Sequence, residues 1–216
     1  MDADFLHGLI HDLKGPVSRI RMLGQLLDRR AQHVDAETQT LLRHIDASAA
    51  AAERVVEGLR RYTDATGKPF EPRPCDLTVP LNSALARLHQ AVVQTGATVA
   101  REPLPTTSAD LVQVTMLFEE LIGNSLRFRS DRAPAICISA KPDGPAAWLV
   151  AITDNGIGLD EVAVDRIFQP FVKCSPAAGA GIGLTICRHI ANTHGWRIEA
   201  FARPVGSEFR VSIPRS

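Results

Sequence analysis

Apolar residues in the first third of the chain recur every three and four positions. Leu6, Leu9, Leu13, Pro16, Ile20, Leu23 and Leu27 form one row, and Leu41, Ile45, Ser48, Ala52, Val55, Leu59 and Tyr62 form another. These are the a and d positions of heptads, so residues 2–66 predict two long helices joined by the polar residues around Gln32–Asp35. A hairpin has only one shared face. A second copy would cover what remains by forming a four-helix bundle; docking on the rest of the same chain is the alternative.

Thr66-Gly-Lys-Pro-Phe-Glu-Pro-Arg-Pro74 cannot continue a helix, because its prolines lack the N–H and clash with the preceding turn. The pattern beyond it is mixed. Leu81, Leu85, Leu88 and Val92 have helical spacing, and residues 109–128 predict a second amphipathic helix. Ile136 and Ile138, then Trp148, Val150 and Ile152, alternate as strands around a turn at Asp143-Gly144. A helix follows Gly183, and Arg197–Ala202 with Glu208–Ile213 reads as a closing hairpin. The expected organisation is α+β: a helical hairpin over 1–66, a linker over 67–74 and an α/β domain over 75–216.

Composition narrows the class. At 45% apolar and 22% charged, the 216 residues suit a globular fold, and 24 basic against 24 acidic residues leave no footprint for nucleic acid. The four cysteines include no Cys-x-x-Cys pair, which fits free thiols in a reducing compartment. No apolar run reaches the roughly 18 residues of a membrane span and the N-terminus is not a signal peptide, so the expectation is a cytoplasmic chain, tethered to a membrane only through an upstream segment.

Three runs carry the candidate chemistry. In Glu119–Phe128, Glu120, Asn124 and Arg127 fall within roughly 60° of one another on the helix, beside the apolar face of Val114, Leu117, Leu121, Ser125 and Phe128. An amide and a carboxylate can hold a hydrated cation and a guanidinium can meet phosphate; a solvated face is the plainer reading. Asp154, at a strand's end before Asn-Gly-Ile-Gly, can accept from an exocyclic amine such as adenine's, while Gly156 and Gly158 let backbone approach a ring; the run is also ordinary turn chemistry. Gly179, Gly181 and Gly183 precede the apolar helix Leu184–Ala191, where free N–H groups make an anion site. Between the turns lie Ile167–Phe171 and the segment Lys173–Ala178, which reads as a lid over bound nucleotide.

A fourth run, His11-Asp12-Leu-Lys-Gly-Pro16, offers a nucleophile. His11 stands two residues from both Leu9 and Leu13, roughly 160° from their seam, and so points towards solvent. A neutral imidazole is nucleophilic near physiological pH. His7 and His11 also have zinc-chelating spacing, but the glutamate of His-Glu-x-x-His and a third ligand are missing.

Together the runs resemble the catalytic core of a two-component sensor histidine kinase over nearly the whole chain. His11–Pro16 matches the phosphoacceptor box, Asn124 and its neighbours the asparagine box, Asp154–Gly158 and Gly179–Gly183 the glycine boxes, and Phe168–Phe171 the phenylalanine box. Leu121-Ile-Gly-Asn is similar to phytochrome-like kinases. The resemblance implies a dimerising hairpin followed by an ATP-binding α/β sandwich of the Bergerat type, shared with gyrase and certain chaperones. It implies ATP and Mg²⁺ held by Glu120, Asn124, Arg127, Asp154, Gly156, Gly158, Lys173, Gly179, Gly181, Gly183 and Leu184, with Asn124 and Glu120 nearest the metal. It further implies phosphorylation of His11, Asp12 as orienter of the imidazole, and relay to an aspartate on a response regulator receiver domain. Two positions depart from the family pattern. Gly15 replaces a Thr or Asn able to orient hydrolytic water, which argues against strong phosphatase activity. Glu120 replaces a second asparagine and either binds the cation or activates water as in gyrase-like ATPases. A phosphotransfer scaffold that no longer uses ATP is the remaining alternative.

Overall fold

The computed structural model describes residues 3–30, 35–67, 69–160, 164, 166–172 and 179–215, the side chains of 3–9, 11, 12 and 28–30 excepted. It divides the chain into two compact units, Met1–Gly67 and Lys68–Ser216. No described helix is long and apolar enough to cross a membrane.

The first unit is a pair of helices, α1 (Ala3–Arg30), which runs through Pro16, and α2 (Ala36–Thr66), which Asp35 caps by accepting the N–H of Thr38. The sequence pattern chose the wrong seam. Leu13, Ile20, Leu23, Leu27, Leu41 and Ile45 are 42–58% exposed, while Ile10, Leu42, Ala49 and Val56 are buried. On α2 the buried row Leu42, Ala49 and Val56 keeps the seven-residue spacing. At Gly24 a Cβ would come within 3.3 Å of Ile45 Cγ2, a tight contact with that side chain. Polar bridges tie the pair, with Arg21 to Glu53, Ser18 to Glu53 and Gln25 to Asp46. Two of the three are exposed and the Arg21–Glu53 pair is only partly buried, so they add little stability.

The second unit follows the order β1 (Arg73–Asp76), α3 (Thr78–Thr95), β2 (Thr98–Arg101), β3 (Thr106–Ala109), α4 (Leu111–Arg127), β4 (Ala135–Asp143), β5 (Ala147–Asp154), α5 (Gly183–Thr193), β6 (Arg197–Ala202) and β7 (Ser207–Pro214). β1 and β3 form a small antiparallel ribbon; the main sheet has the order β2-β4-β5-β7-β6, with only β2 and β4 parallel. β1 begins inside the stretch expected to be linker, and β2 and β3 fall where no strand was expected. Each has four residues, too few to display an alternation.

Across the main sheet Ile138, Ile152, Phe209 and Ala200 stand in register, as do Val150, Val211 and Ile198, and all are buried. Against these rows pack α4 and α5, which bury Phe118, Leu117, Leu121, Ile122, Ile186 and Ile190. Each such side chain contributes about 1.5–3 kcal/mol. The result is an α/β sandwich in which α4 is covered on nearly all sides. Its apolar burial fixes where its few polar residues must lie.

Candidate nucleotide site

The carboxylate of Asp154 closes β5 and is held from three directions. Its Oδ1 accepts from the N–H groups of Gly156 (2.9 Å) and Ser207 (3.2 Å). Its Oδ2 accepts from the hydroxyls of Ser207 (2.6 Å) and Ser125 (3.2 Å). The Ser125 hydroxyl is also 3.3 Å from the carbonyl of Leu121. It has one proton and can serve only one acceptor at a time. When it turns to Leu121, a lone pair of Asp154 becomes available to an incoming amine.

The glycines around Asp154 are there because backbone passes too close for a side chain. A Cβ on Gly156 would run into the carbonyl of Phe128, whose oxygen also accepts the N–H of Ile157 at 2.9 Å. Gly158 has φ +81° and Gly206 φ +74°, and a Cβ on Gly206 would overlap the Asp154 carbonyl. Gly206→Ala should therefore destabilise the fold by roughly 2–4 kcal/mol, measured by denaturant melts. Asn155, by contrast, is a structural residue: its side chain accepts the N–H of Ala135 and donates to the carbonyl of Ala133, closing the loop into β4.

The other end of the site lies between α4 and the second glycine turn. Glu120 and Asn124, expected on the lip of the core, are 5% and 8% exposed. A Cβ on Gly183 would stand 2.5 Å from Glu120 Oε2, and one on Gly179 would stand 3.5 Å from Arg127 Nη1. Arg127 in turn donates to Asn124 Oδ1 at 3.4 Å, a long and weak contact. Gly181 (φ +73°) accepts the N–H of Phe171, itself at φ 64°, so the phenylalanine segment is tied to this turn. α5 then starts at Gly183 without a side-chain cap. Its first N–H groups and helix dipole form an anion site. Leu184 is half-buried in that first turn.

The structure thus brings Glu120, Asn124, Arg127, Gly179, Gly181 and Gly183 together, and Asp154, Gly156 and Gly158 join them through the C-terminal half of α4. Lys173 lies outside the described residues. His11 and Asp12 are in α1, with their side chains outside the description. Ser125, Gly206 and Ser207 were missed. Gly206-Ser207 is a third small-residue turn, and its position between two strand patterns was the available signal.

A family model described as histidine kinase-, DNA gyrase B-, and HSP90-like ATPase matches residues 109–216, half of the chain. The chain belongs to this family. Its relatives narrow the kind to sensor histidine kinase cores. Cyanobacterial phytochrome A of Nostoc sp. is 31% identical over 215 residues, 97% of this chain but 28% of the phytochrome. Sensor protein TorS of Escherichia coli is 30% identical over 222 residues, 97% of this chain and 24% of TorS. The chain therefore spans less than a third of either relative's length. Among solved structures, full-length ShkA in complex with AMPPNP superposes with a TM-score of 0.69 at 21% identity, covering 99% of this chain and 46% of that one. Histidine kinase ThkA in complex with the response regulator TrrA gives 0.65 at 19%, covering 99% and 61%. In this histidine-kinase-type core, the elements that touch Asp154 and the second glycine turn, α4, β5, α5 and β7, all fall inside the family match.

Proposed function

We propose that this chain is an ATP-dependent protein-histidine kinase that phosphorylates its own His11 and relays the phosphoryl group to an aspartate of a response regulator. The observation that carries the reading is the run of α4 between two complementary poles. At one pole the Asp154 carboxylate can take a purine amine once Ser125 turns to Leu121. At the other, the uncapped N-terminus of α5 and Arg127 offer donors to phosphate oxygens.

Glu120 and Asn124 suit a hard cation, being buried oxygen donors beside that anion site. Among the described residues no group of three His, Cys, Asp or Glu side chains could hold a metal alone. Two such oxygens suit Mg²⁺, which commonly takes one or two protein oxygens and completes its shell with phosphate and water. When bound, it neutralises charge on the phosphates during a loose, in-line transfer. The protein's own part is positioning. A ring nitrogen of neutral His11 attacks the γ-phosphorus, the N–P bond forms as the β–γ bridging P–O bond breaks, and ADP leaves. Asp12, to which the resemblance assigns orientation of the ring, accepts a hydrogen bond from the other ring N–H and stabilises the positive charge the imidazole gains as the N–P bond forms.

The exposed row Leu13, Ile20, Leu23, Leu27, Leu41 and Ile45 supports a homodimer through the hairpin, because an apolar stripe of this length is otherwise left wet. Leu23→Glu with Leu27→Glu should convert the protein to monomer in light scattering while leaving nucleotide affinity unchanged. The ThkA complex with a response regulator supports the same class of partner here. Incubation with γ-labelled ATP and Mg²⁺ tests the kinase reading. The expected product is label on the protein that survives alkali and is lost in acid. Absence of such label from the wild-type chain overturns it.

A further inference from the structure

One side chain joins the ends of α4 and α5 that lie away from the glycine turns. His194 Nε2 is 3.0 Å from the N–H of Asp110, and His194 Nδ1 is 2.8 Å from the carbonyl of Ile190. Asp110 can only donate through its N–H, so Nε2 must be the acceptor and Nδ1 must carry the proton. The imidazole is neutral and locked in one tautomer. Asp110 is itself the cap of α4: its Oδ1 accepts the N–H groups of Val112 and Gln113, both at 3.0 Å. Its Oδ2 accepts from Glu71 at 3.1 Å. The ring of His194 is packed between Phe70 (centroids 4.8 Å apart) and Trp196 (4.6 Å). One node therefore holds the start of α4, the end of α5 and the segment leading into β1.

We infer that His194 is a positioning residue for the nucleotide site: by bridging the Asp110 N–H to the Ile190 carbonyl, it sets how far α4 and α5 slide along one another. The inference rests on the nucleotide reading above. Asn124 and Gly183 sit roughly 15–20 Å along the two helices from this node. Gly183 packs so closely on Glu120 that a Cβ there would stand 2.5 Å from Oε2, so a slide of one helix against the other displaces Glu120 and Asn124 from the phosphate-binding N–H groups. The charged groups on the elements packed around the ring are Asp110 at the cap of α4, Glu71 ahead of β1 with Arg73 at its start, and the pair Arg197 and Glu199 of β6. On α5 itself are Arg188, over the Phe168 ring, and His189.

A proton on Nε2 would set two donors against each other. Burial holds the His194 pKa below the ordinary histidine value, which outweighs the nearby Asp110 carboxylate. With a depressed folded pKa, the contribution of the neutral ring to stability is complete above about pH 6.5 and is lost as the pH falls from there towards the folded pKa. Burial lowers His189 as well, so only a comparison within His194 variants isolates the node.

The test uses the full chain with His194→Ala and His194→Gln, each first shown by thermal melting to be folded. Amide exchange without nucleotide should quicken in His194→Ala both in the first turn of α4 and at residues 181–185. Affinity for AMPPNP with Mg²⁺ should fall about tenfold in His194→Ala but stay within about threefold in His194→Gln, whose amide oxygen can accept from Asp110. Between pH 7.5 and 5.5 the wild type should lose thermal stability relative to His194→Gln, which has no ring to protonate. Folded His194→Ala with unchanged exchange at 181–185 and unchanged affinity overturns the inference. A wild type that binds no AMPPNP, with exchange still quickened at both places in the variant, sinks the nucleotide reading and leaves the coupling of the helices standing.

Discussion

Asp154→Asn should weaken ADP binding by about a hundredfold or more while leaving the fold nearly as stable as before. Oδ1 faces two backbone N–H groups that cannot turn away, from Gly156 and Ser207. Oδ2 faces two hydroxyls, of Ser125 and Ser207, that can rotate to accept instead of donate. The amide of an asparagine will therefore put its oxygen at the first position and its NH₂ at the second. The local network survives with its donors reversed. A purine amine, however, would then meet a donor where the carboxylate offered a lone pair, and loss of a charged acceptor plus a donor–donor conflict costs about 3 kcal/mol. Calorimetry with ADP and Mg²⁺ reads the affinity, and thermal melting reads the fold. Unchanged affinity would remove Asp154 from the nucleotide site.

His11→Gln should bind nucleotide like the wild type and carry no acid-labile label. Glutamine keeps the helix and a polar side chain but has no nucleophilic lone pair on nitrogen. The loss should be complete within detection, because no second group replaces a nucleophile that forms the bond. Persistence of full labelling in this variant would move the acceptor elsewhere. Mixing His11→Gln chains with Asp154→Asn chains then reads the route. Label on the Asp154→Asn chain reports transfer between subunits; its absence reports transfer within one.

Periodicity worked where segments were long. Both hairpin helices, α3, α4 and the hairpins β4–β5 and β6–β7 were legible because each repeats its apolar spacing several times. The ribbon β1–β3 and strand β2 were not, since four residues give at most two inward positions. The hairpin seam failed for a different reason. Each helix carries two rows at heptad spacing, and spacing alone does not distinguish them. The fold buries the row of Ile10, Leu42, Ala49 and Val56 instead. The glycine turns were visible as composition, but the reason each glycine is required was not. Gly156 yields to Phe128, Gly183 to Glu120 and Gly206 to the backbone of Asp154, partners far away in the chain.

The order of the polar runs and the spacing of Glu120, Asn124 and Arg127 on one helix determined, from residues alone, that a carboxylate, an amide and a guanidinium would share a side of α4. Helical geometry is local, so it can be read locally. Only the folded sheet decided that Ser125 and Ser207 would meet at Asp154, because β7 reaches β5 across more than fifty residues of chain. The same holds for His194, which meets Asp110 only once α4 and α5 have packed. Contacts between distant segments depend on how whole faces are buried against each other, and no run of neighbouring residues records that.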